Sequence, residues 1–237
     1  MMEKTNQTEI ERETTGIPGL DEALNGGFPK SSVVFLTGTP GAGKTTFSFQ
    51  FLLEGAKKGE KGLYFTLEES QDDLMQQFMM VDSKIKDYIE NGLIKIVTIP
   101  LVDYDSMKEV ISSELDAMAA KRLVVDSITY LQMFFSDIMS IRKAVIELSN
   151  IIKARDCTAI FIGEMPYGEN KLSSFGVEEF ASDGVVALYM VERQSSFIRA
   201  LRIIKMRSTE HLTKYIPLDI KNSGIVVYPS AELFADI

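Results

Sequence analysis

The sequence predicts an α/β fold, with a mostly parallel central sheet flanked by helices and C-terminal antiparallel strands added to it. Three observations predict this. With 237 residues, 45% of them hydrophobic and 25% charged, the chain can bury a full core, and its composition is neither disordered nor fibrous. From Val33 onward, short apolar β-rich runs alternate with longer amphipathic segments, the pattern of a parallel sheet covered by helices. After Gly163 that alternation stops, and strand-like runs follow one another with almost no helix between them.

Residues 1–13 read as a polar leader without the apolar core of a signal peptide, and residues 14–237 as one domain, free of repeats, low-complexity linkers or breaks in composition. Turn signals at Gly16-Ile17-Pro18-Gly19 and Gly26-Gly27-Phe28-Pro29 bracket a short helical stretch. Strands are expected at 33–37, 63–67, 94–98, 123–126 and 159–163, each of the first four followed by a helix. The helix at 141–153 illustrates the pattern, with Ala144, Val145, Leu148 and Ile152 on one core-facing stripe. A Gly- and Ser-rich loop from Pro166 to Gly176 then leads to strands at 185–191, 200–206, 215–220 and 224–228. Short polar turns such as Lys221-Asn222-Ser223-Gly224 favour antiparallel pairing there.

Composition also excludes function classes. No stretch reaches the roughly 18 uncharged apolar residues of a membrane span, so a soluble, cytoplasmic protein without a membrane role is expected. One cysteine, Cys157, and one histidine, His211, cannot form an internal disulfide or a Cys/His zinc site. Catalysis would have to rest on carboxylates, hydroxyls, lysine and arginine. A net charge of −9, from 34 acidic against 25 basic residues, argues against a general nucleic-acid surface.

Residues 38–45 read Gly38-Thr39-Pro40-Gly41-Ala42-Gly43-Lys44-Thr45, which satisfies G-x-x-x-x-G-K-[ST] at every fixed position. The apolar run VVFLT enters the loop and the amphipathic run TTFSFQFLLEGA leaves it. Glycines let backbone N–H groups close around phosphate oxygens, and the helix that begins at the lysine adds its dipole. The phosphate-contacting set is therefore residues 38–43 with Lys44, Thr45 and Thr46. Lys44 would neutralise the β and γ phosphates, and the Thr45 hydroxyl would bind Mg²⁺. Asp126 ends an apolar strand, the pattern that delivers a carboxylate to the same Mg²⁺. Glu68 and Glu69 directly follow the strand at 63–67, where an acid can orient the attacking water or simply cap the next helix near Ser70.

The run TTGIPGLDEALNGGFPKSSVVFLTGTPGAGKTTFSFQFLLEGAKKGEKGLYFTLEES resembles the opening of the KaiC-like branch of the RecA superfamily. FGVEEFASDGVVALY and IIKMRSTEHLTKYIPLDIKNSGIVVYP resemble its closing part, so the likeness runs from Thr14 to Pro229. The resemblance implies a RecA-like P-loop NTPase core and ATP bound between adjacent subunits of a homo-oligomer, commonly a hexameric ring. It also implies that Glu68 and Glu69 are tandem catalytic glutamates. The segment Lys205-Met206-Arg207-Ser208-Thr209-Glu210-His211 is similar to the family's K-x-R-G-T-x-H, with Ser208 in place of its glycine. Lys205 and Arg207 would then reach the γ-phosphate held by the neighbouring subunit, and His211 is a candidate nucleotide contact. Glu164 ends the strand at 159–163, where relatives keep a polar group that senses the γ-phosphate. The clock-type phosphorylated Ser-Thr pair is replaced here by Glu178-Glu179-Phe180, so autophosphorylation is not expected.

Together these readings predict an Mg²⁺-dependent ATPase of slow turnover that acts as a switch for assembly or for an unknown protein partner. The competing classes are a DNA-repair accessory that binds single strands and a nucleotide-binding adaptor without turnover. In a RecA-type ring, the loops at 129–140 and 165–182 would line the pore. The first holds Asp137 and no Lys or Arg, and the second sets Lys171 against Glu169, Glu178 and Glu179. Such loops repel phosphate, and Tyr130, Phe134, Phe135, Tyr167 and Phe175 then fit protein packing better than base stacking.

Overall fold

Along Val33–Gly38 every residue is buried, and alternate side chains go to opposite faces: Val34 and Leu36 join one apolar cluster, Val33 and Phe35 another. A strand apolar on both sides belongs in the middle of a covered sheet. The structure, a computed structural model, describes residues 10–99, 103–166, 171–193 and 196–233. In chain order its elements are β1 (Arg12–Glu13), α1 (Leu20–Ala23), β2 (Phe28–Pro29), β3 (Val33–Gly38), α2 (Lys44–Lys57), β4 (Gly62–Thr66), α3 (Gln71–Val81), α4 (Ile85–Glu90), β5 (Ile94–Thr98), α5 (Tyr104–Met118) and β6 (Arg122–Asp126). A 3-10 turn (Ile128–Met133), α6 (Ile138–Lys153), β7 (Thr158–Ile162), α7 (Glu178–Ala181), β8 (Gly184–Arg193), β9 (Ser196–Met206), β10 (Ile216–Lys221) and β11 (Gly224–Val227) follow.

The main sheet has nine strands in the order β11-β10-β9-β8-β3-β7-β6-β4-β5. One face is covered by α2, α3 and α4 through residues such as Phe47, Phe51, Leu74, Phe78 and Ile85. The other is covered by α5 and α6 through Met107, Ile111, Leu115, Ile141, Leu148 and Ile152. The predicted α/β class, with parallel strands first and antiparallel strands last, is what the chain adopts. Among the described residues no helix is long and apolar enough to cross a membrane.

Two details differ from the expectation. β8 pairs parallel with β3, so the antiparallel part begins only at the β8–β9 pair. The connection after β7 is long enough to carry the chain back to the start of the sheet, which is the requirement for a parallel neighbour. Secondly, Arg12 and Glu13, the last residues of the predicted leader, form β1 and pair with β2. Arg12 donates to Gly27 O at 3.1 Å and Thr209 Oγ1 at 3.0 Å. A two-residue strand is too short to leave a periodic signature. Residues 1–9 of the leader lie outside the described residues.

Arg122 anchors the start of β6. It is fully buried, donates to Glu60 Oε2 at 2.7 Å and to the carbonyls of Thr14 and Phe51 at 2.8 and 2.9 Å, and stacks over the Phe51 ring. A buried guanidinium needs this full set of partners. Its effect is to fix the strand whose far end carries Asp126.

Candidate nucleotide site

Strands β3, β7, β6 and β4 are successive neighbours and all run the same way. Their carboxyl ends therefore bring Gly38, Glu164, Asp126 and Glu68 to one rim, as ligand sites of open α/β sheets require. The register is direct: Leu36 is opposite Ile162, and Thr66 is opposite Asp126. Lys44, which begins α2, lies in the field of Glu164, Asp126 and Glu68. Burial holds its ammonium below the ordinary lysine value, and these three carboxylates oppose that shift.

The loop before Lys44 is shaped by its glycines. A Cβ on Gly38 would stand 2.6 Å from Leu188 O of the adjacent strand, and Gly43 adopts φ +102 with Ile220 Cδ1 2.8 Å from the Cβ position. Only glycine fits either place. The long helices α3, α5 and α6 each start with a side-chain cap, where Ser70, Asp103 and Asp137 accept the N–H of Asp73, Ser106 and Ser140. Helix α2 has no such cap and no acid in its first turn. Its leading N–H groups face the loop without a side-chain acceptor, the arrangement that suits an anion. Lys44 Nζ meanwhile folds back onto Gly38 O at 2.9 Å and Thr39 O at 3.4 Å, and the Thr39 hydroxyl is buried without a partner. Pro40 and Gly41 at the crest of the loop are exposed, Ala42 is buried, and Thr45 and Thr46 are partly exposed.

Asp126 is bonded to the buried Tyr64 hydroxyl at 2.5 Å, and the Thr45 side chain interacts with the same phenol. Burial pushes the Asp126 carboxyl up to about 6; the Tyr64 bond opposes the shift, while Glu69 and Glu68 add to it. The Ser127 hydroxyl beside it is buried and unpartnered. A hydroxyl and one carboxylate are hard oxygen donors, and Mg²⁺ takes few protein ligands, completing its shell with phosphate and water. The donor set of Thr45 and Asp126 therefore fits Mg²⁺.

The two tandem glutamates diverge. Glu68 faces the rim: its carboxyl is raised by partial desolvation first and Glu164 second, while Tyr130 and Lys44 oppose the shift. The Glu69 carboxylate is bonded to Gln77 Nε2 on α3, and its main chain is tied to the Thr66 hydroxyl at 2.9 and 3.0 Å. Neither glutamate caps α3, because Ser70 does.

Lys205 and Arg207 lie elsewhere. Gly184, at the start of β8, is opposite Met206 on one side and Val34 on the other, whereas Gly38 is opposite Leu188. The pair thus sits at the amino end of β3, four strand residues or about 13 Å below the phosphate loop. Lys205 Nζ donates to Glu179 O at 2.7 Å and Ser182 O at 2.6 Å, and Arg207 Nη1 to Asp183 Oδ1 at 3.1 Å. Ser208 takes φ +54, the left-handed conformation that glycine adopts freely, so the turn after Arg207 is made despite the substitution. His211 Nδ1 lies 3.0 Å from Leu212 O, in a segment attached through Leu212 N to Ala23 O, and among the described residues it makes no hydrogen bond to the phosphate loop. In contrast to an edge position, β9 is flanked on both sides, by β8 and β10.

The family description of the KaiC ATPases matches residues 13–232. The chain belongs to the KaiC ATPase family. It is 36% identical to the UPF0273 protein PH0284 of Pyrococcus horikoshii, over 94% of this chain and 96% of that one. The UPF0273 protein of Thermotoga maritima is 33% identical over 93% of this chain and 97% of its own length. The crystal structure of the KaiC-like protein PH0186 from Pyrococcus horikoshii superposes with a TM-score of 0.85 at 38% identity, covering 93% of this chain and all of that one. The chain is thus a KaiC-like, single-domain RecA-superfamily protein of the P-loop NTPase kind, a kind that binds nucleotide.

Within this KaiC-type framework the rim collects Lys44, Thr45, Asp126, Glu68 and Glu164, but leaves Lys205, Arg207 and His211 apart from them. Pattern reading did not select Tyr64, buried in an apolar strand, or assign Tyr130 to Glu68; neither role leaves a sequence signal. Ser182 is buried and donates to Glu178 O at 2.8 Å, so its hydroxyl is not presented. Of the loop at 129–140, Tyr130, Phe134 and Phe135 pack against the core, and Phe135 meets Tyr104 edge-on at 5.1 Å. Phe175 packs on the same cluster. Tyr167 and Glu169 lie outside the described residues.

Proposed function

We propose that the chain is a magnesium-dependent ATPase that binds ATP between copies of itself in a ring-like homo-oligomer, hexameric by family resemblance. Slow turnover would make it a switch for assembly or for a protein partner. The observation that carries this reading is the placement of one uncapped helix start, with Lys44, Thr45, Asp126 and Glu68, at one end of the sheet and of Lys205 and Arg207 at the other. A finger that far from its own phosphate loop favours use on a neighbour's.

The first-turn N–H groups of α2 and the loop backbone would hold the phosphates, with Lys44 turned from the loop carbonyls onto the β and γ oxygens. Thr45 and Asp126 would hold Mg²⁺, which when bound offsets phosphate charge. Glu68 would orient water and accept its proton; partial desolvation raises its carboxyl pKa, which suits a general base. Arg207 and Lys205 from the adjoining copy would stabilise the charge that develops on the transferred group.

Native mass with and without Mg²⁺-ATP, on the natural chain and on Lys44→Ala, tests the reading alongside a phosphate-release assay. The expected result is a nucleotide-dependent oligomer that Lys44→Ala does not form. A monomer under every condition that still hydrolyses ATP would remove the shared site.

A further inference from the structure

The support beneath Lys205 and Arg207 converges on one turn, Glu179 to Asp183, and the carboxylate in it that bonds Arg207 belongs to Asp183. Asp183 lies between α7 and β8. Its Oδ1 accepts from Arg207 Nη1 at 3.1 Å, and its main-chain carbonyl accepts Arg207 N at 3.0 Å. Its Oδ2 accepts Val33 N at 3.0 Å and pairs with Lys153 Nζ at 2.5 Å. Lys205 is held by the main chain instead, donating to the carbonyls of Glu179 and Ser182 just ahead of Asp183. The Asp183 side chain is only 13% exposed while that of Arg207 is 62% exposed, so one end of the contact is set in the fold and the other is presented. Its roots are the start of β3 and the end of α6, two rigid elements.

Charge gives the arrangement its purpose. Lys153, Lys205 and Arg207 are three cations crowded at one corner. Burial and then the nearby Arg207 lower the Lys205 ammonium from its ordinary value, Lys153 adds to that shift, and Asp183 and Glu179 oppose it. Without the Asp183 carboxylate the cations would repel one another, and a flexible arginine would lose its defined direction. Preorganised charge is what a finger must offer, because reorganisation during the reaction removes the benefit.

We infer that Asp183 is the positioning residue of Arg207, fixing where that cation points when it is presented to nucleotide held by a neighbouring copy, with Lys205 held beside it by the main chain of the same turn. The inference rests on the shared-site reading above. Asp183 touches no nucleotide itself. A plain staple between β3, α6 and β8 would use the contacts to Val33 and Lys153 and would be indifferent to Arg207.

Steady-state ATP hydrolysis by assembled Asp183→Asn, Arg207→Ala, the double variant and Lys153→Met separates these roles. The asparagine keeps an acceptor for Val33 N but loses the charge. It is expected to lower kcat about 10- to 100-fold, the scale of an ångström-level misplacement, with KM for ATP within about twofold. The double variant should be no slower than Arg207→Ala alone, because the two act as one unit. Lys153→Met should stay within about threefold of the natural kcat. In mixed assemblies, a Lys44→Ala copy with intact Asp183 should restore turnover at an Asp183→Asn neighbour, and a copy carrying both changes should not. A normal kcat in Asp183→Asn beside a slow Arg207→Ala would overturn the positioning role and leave the finger standing. Losses that multiply in the double variant, or a change in KM alone, would overturn it as well. Normal rates in both single variants would remove the finger reading itself. If the asparagine variant does not assemble, Asp183→Glu carries the test: the charge stays but is displaced by a methylene, so kcat should fall at unchanged KM, and a normal kcat overturns the inference.

Discussion

At the carboxyl end of β3, Lys44 is bonded to two loop carbonyls while three carboxylates stand around it, and Asp126 and Glu68 are both driven toward their neutral forms. At the amino end of β8 the charges meet: Asp183 is paired with Lys153 and Arg207, and despite burial its carboxyl is held below the ordinary value by Lys153, Val33 N–H and Arg207. The first corner is electrostatically incomplete and the second is complete within one chain. Perturbed titratable groups gathered beside an uncapped helix start are the pattern of a ligand site, and charges already paired within the fold are the pattern of a prearranged part. The two corners of the chain are therefore built differently, which is what the proposed division of roles between neighbouring copies requires.

The contrast is broken most severely at the loop. Lys44→Ala should abolish saturable nucleotide binding by calorimetry or fluorescent-nucleotide titration, since it removes the only cation placed against the phosphates by the loop motif; retained affinity would detach the motif from the site. Arg207→Ala should cost about 10³-fold in kcat, the scale of an arginine finger, with nucleotide affinity of the isolated chain unchanged. The same drop on Arg207→Ala in a monomeric preparation that hydrolyses ATP would contradict action between copies. Glu68→Gln should cost about 100-fold in turnover with binding intact, and Glu69→Gln less than about tenfold, given its engagement with Gln77. Equal losses in both variants would show that the divergence of the two side chains does not persist with nucleotide bound.

The smallest effect sharpens the comparison through stability. The Asp126 carboxyl is raised in the folded chain, so its stabilising contribution is complete below about pH 4 and is lost as pH rises through about 6. Without nucleotide, Asp126→Asn should therefore raise the unfolding free energy at pH 7.5 by about 2–3 kcal/mol. The gain should vanish as pH falls below 6 toward 4. Urea denaturation across that range checks the sign, and a gain independent of pH would mean that the carboxylate is not destabilised by its surroundings.

Much of the rim was legible because its signals are local. The loop from Gly38 to Thr45 is contiguous, and Asp126 and Glu68 stand at strand ends that periodicity locates to within a residue. A parallel sheet then has little freedom but to place strand ends on one side. Less was legible where contacts join distant segments. Asp183 bonds Arg207 across the β8–β9 hairpin and Val33 across most of the chain, and Tyr64 reaches Asp126 from a strand that reads as plain core. The tandem glutamates look equivalent in the sequence; their separation depends on Gln77, two helical turns further on.

Residue pattern alone therefore predicts the α/β class that the chain adopts, and puts the glycine-rich loop before Lys44 and the acids Asp126 and Glu68 at the ends of their strands, because backbone geometry and apolar periodicity act over a few residues at a time. Tertiary structure decides the parallel direction of β8, the pairing of β1 with β2, the division between Glu68 and Glu69, and the distance of Lys205 and Arg207 from Lys44. These are matters of which strand lies beside which. The burial and cross-strand contacts that select a neighbour are spread over the whole chain, so no single stretch of it records them.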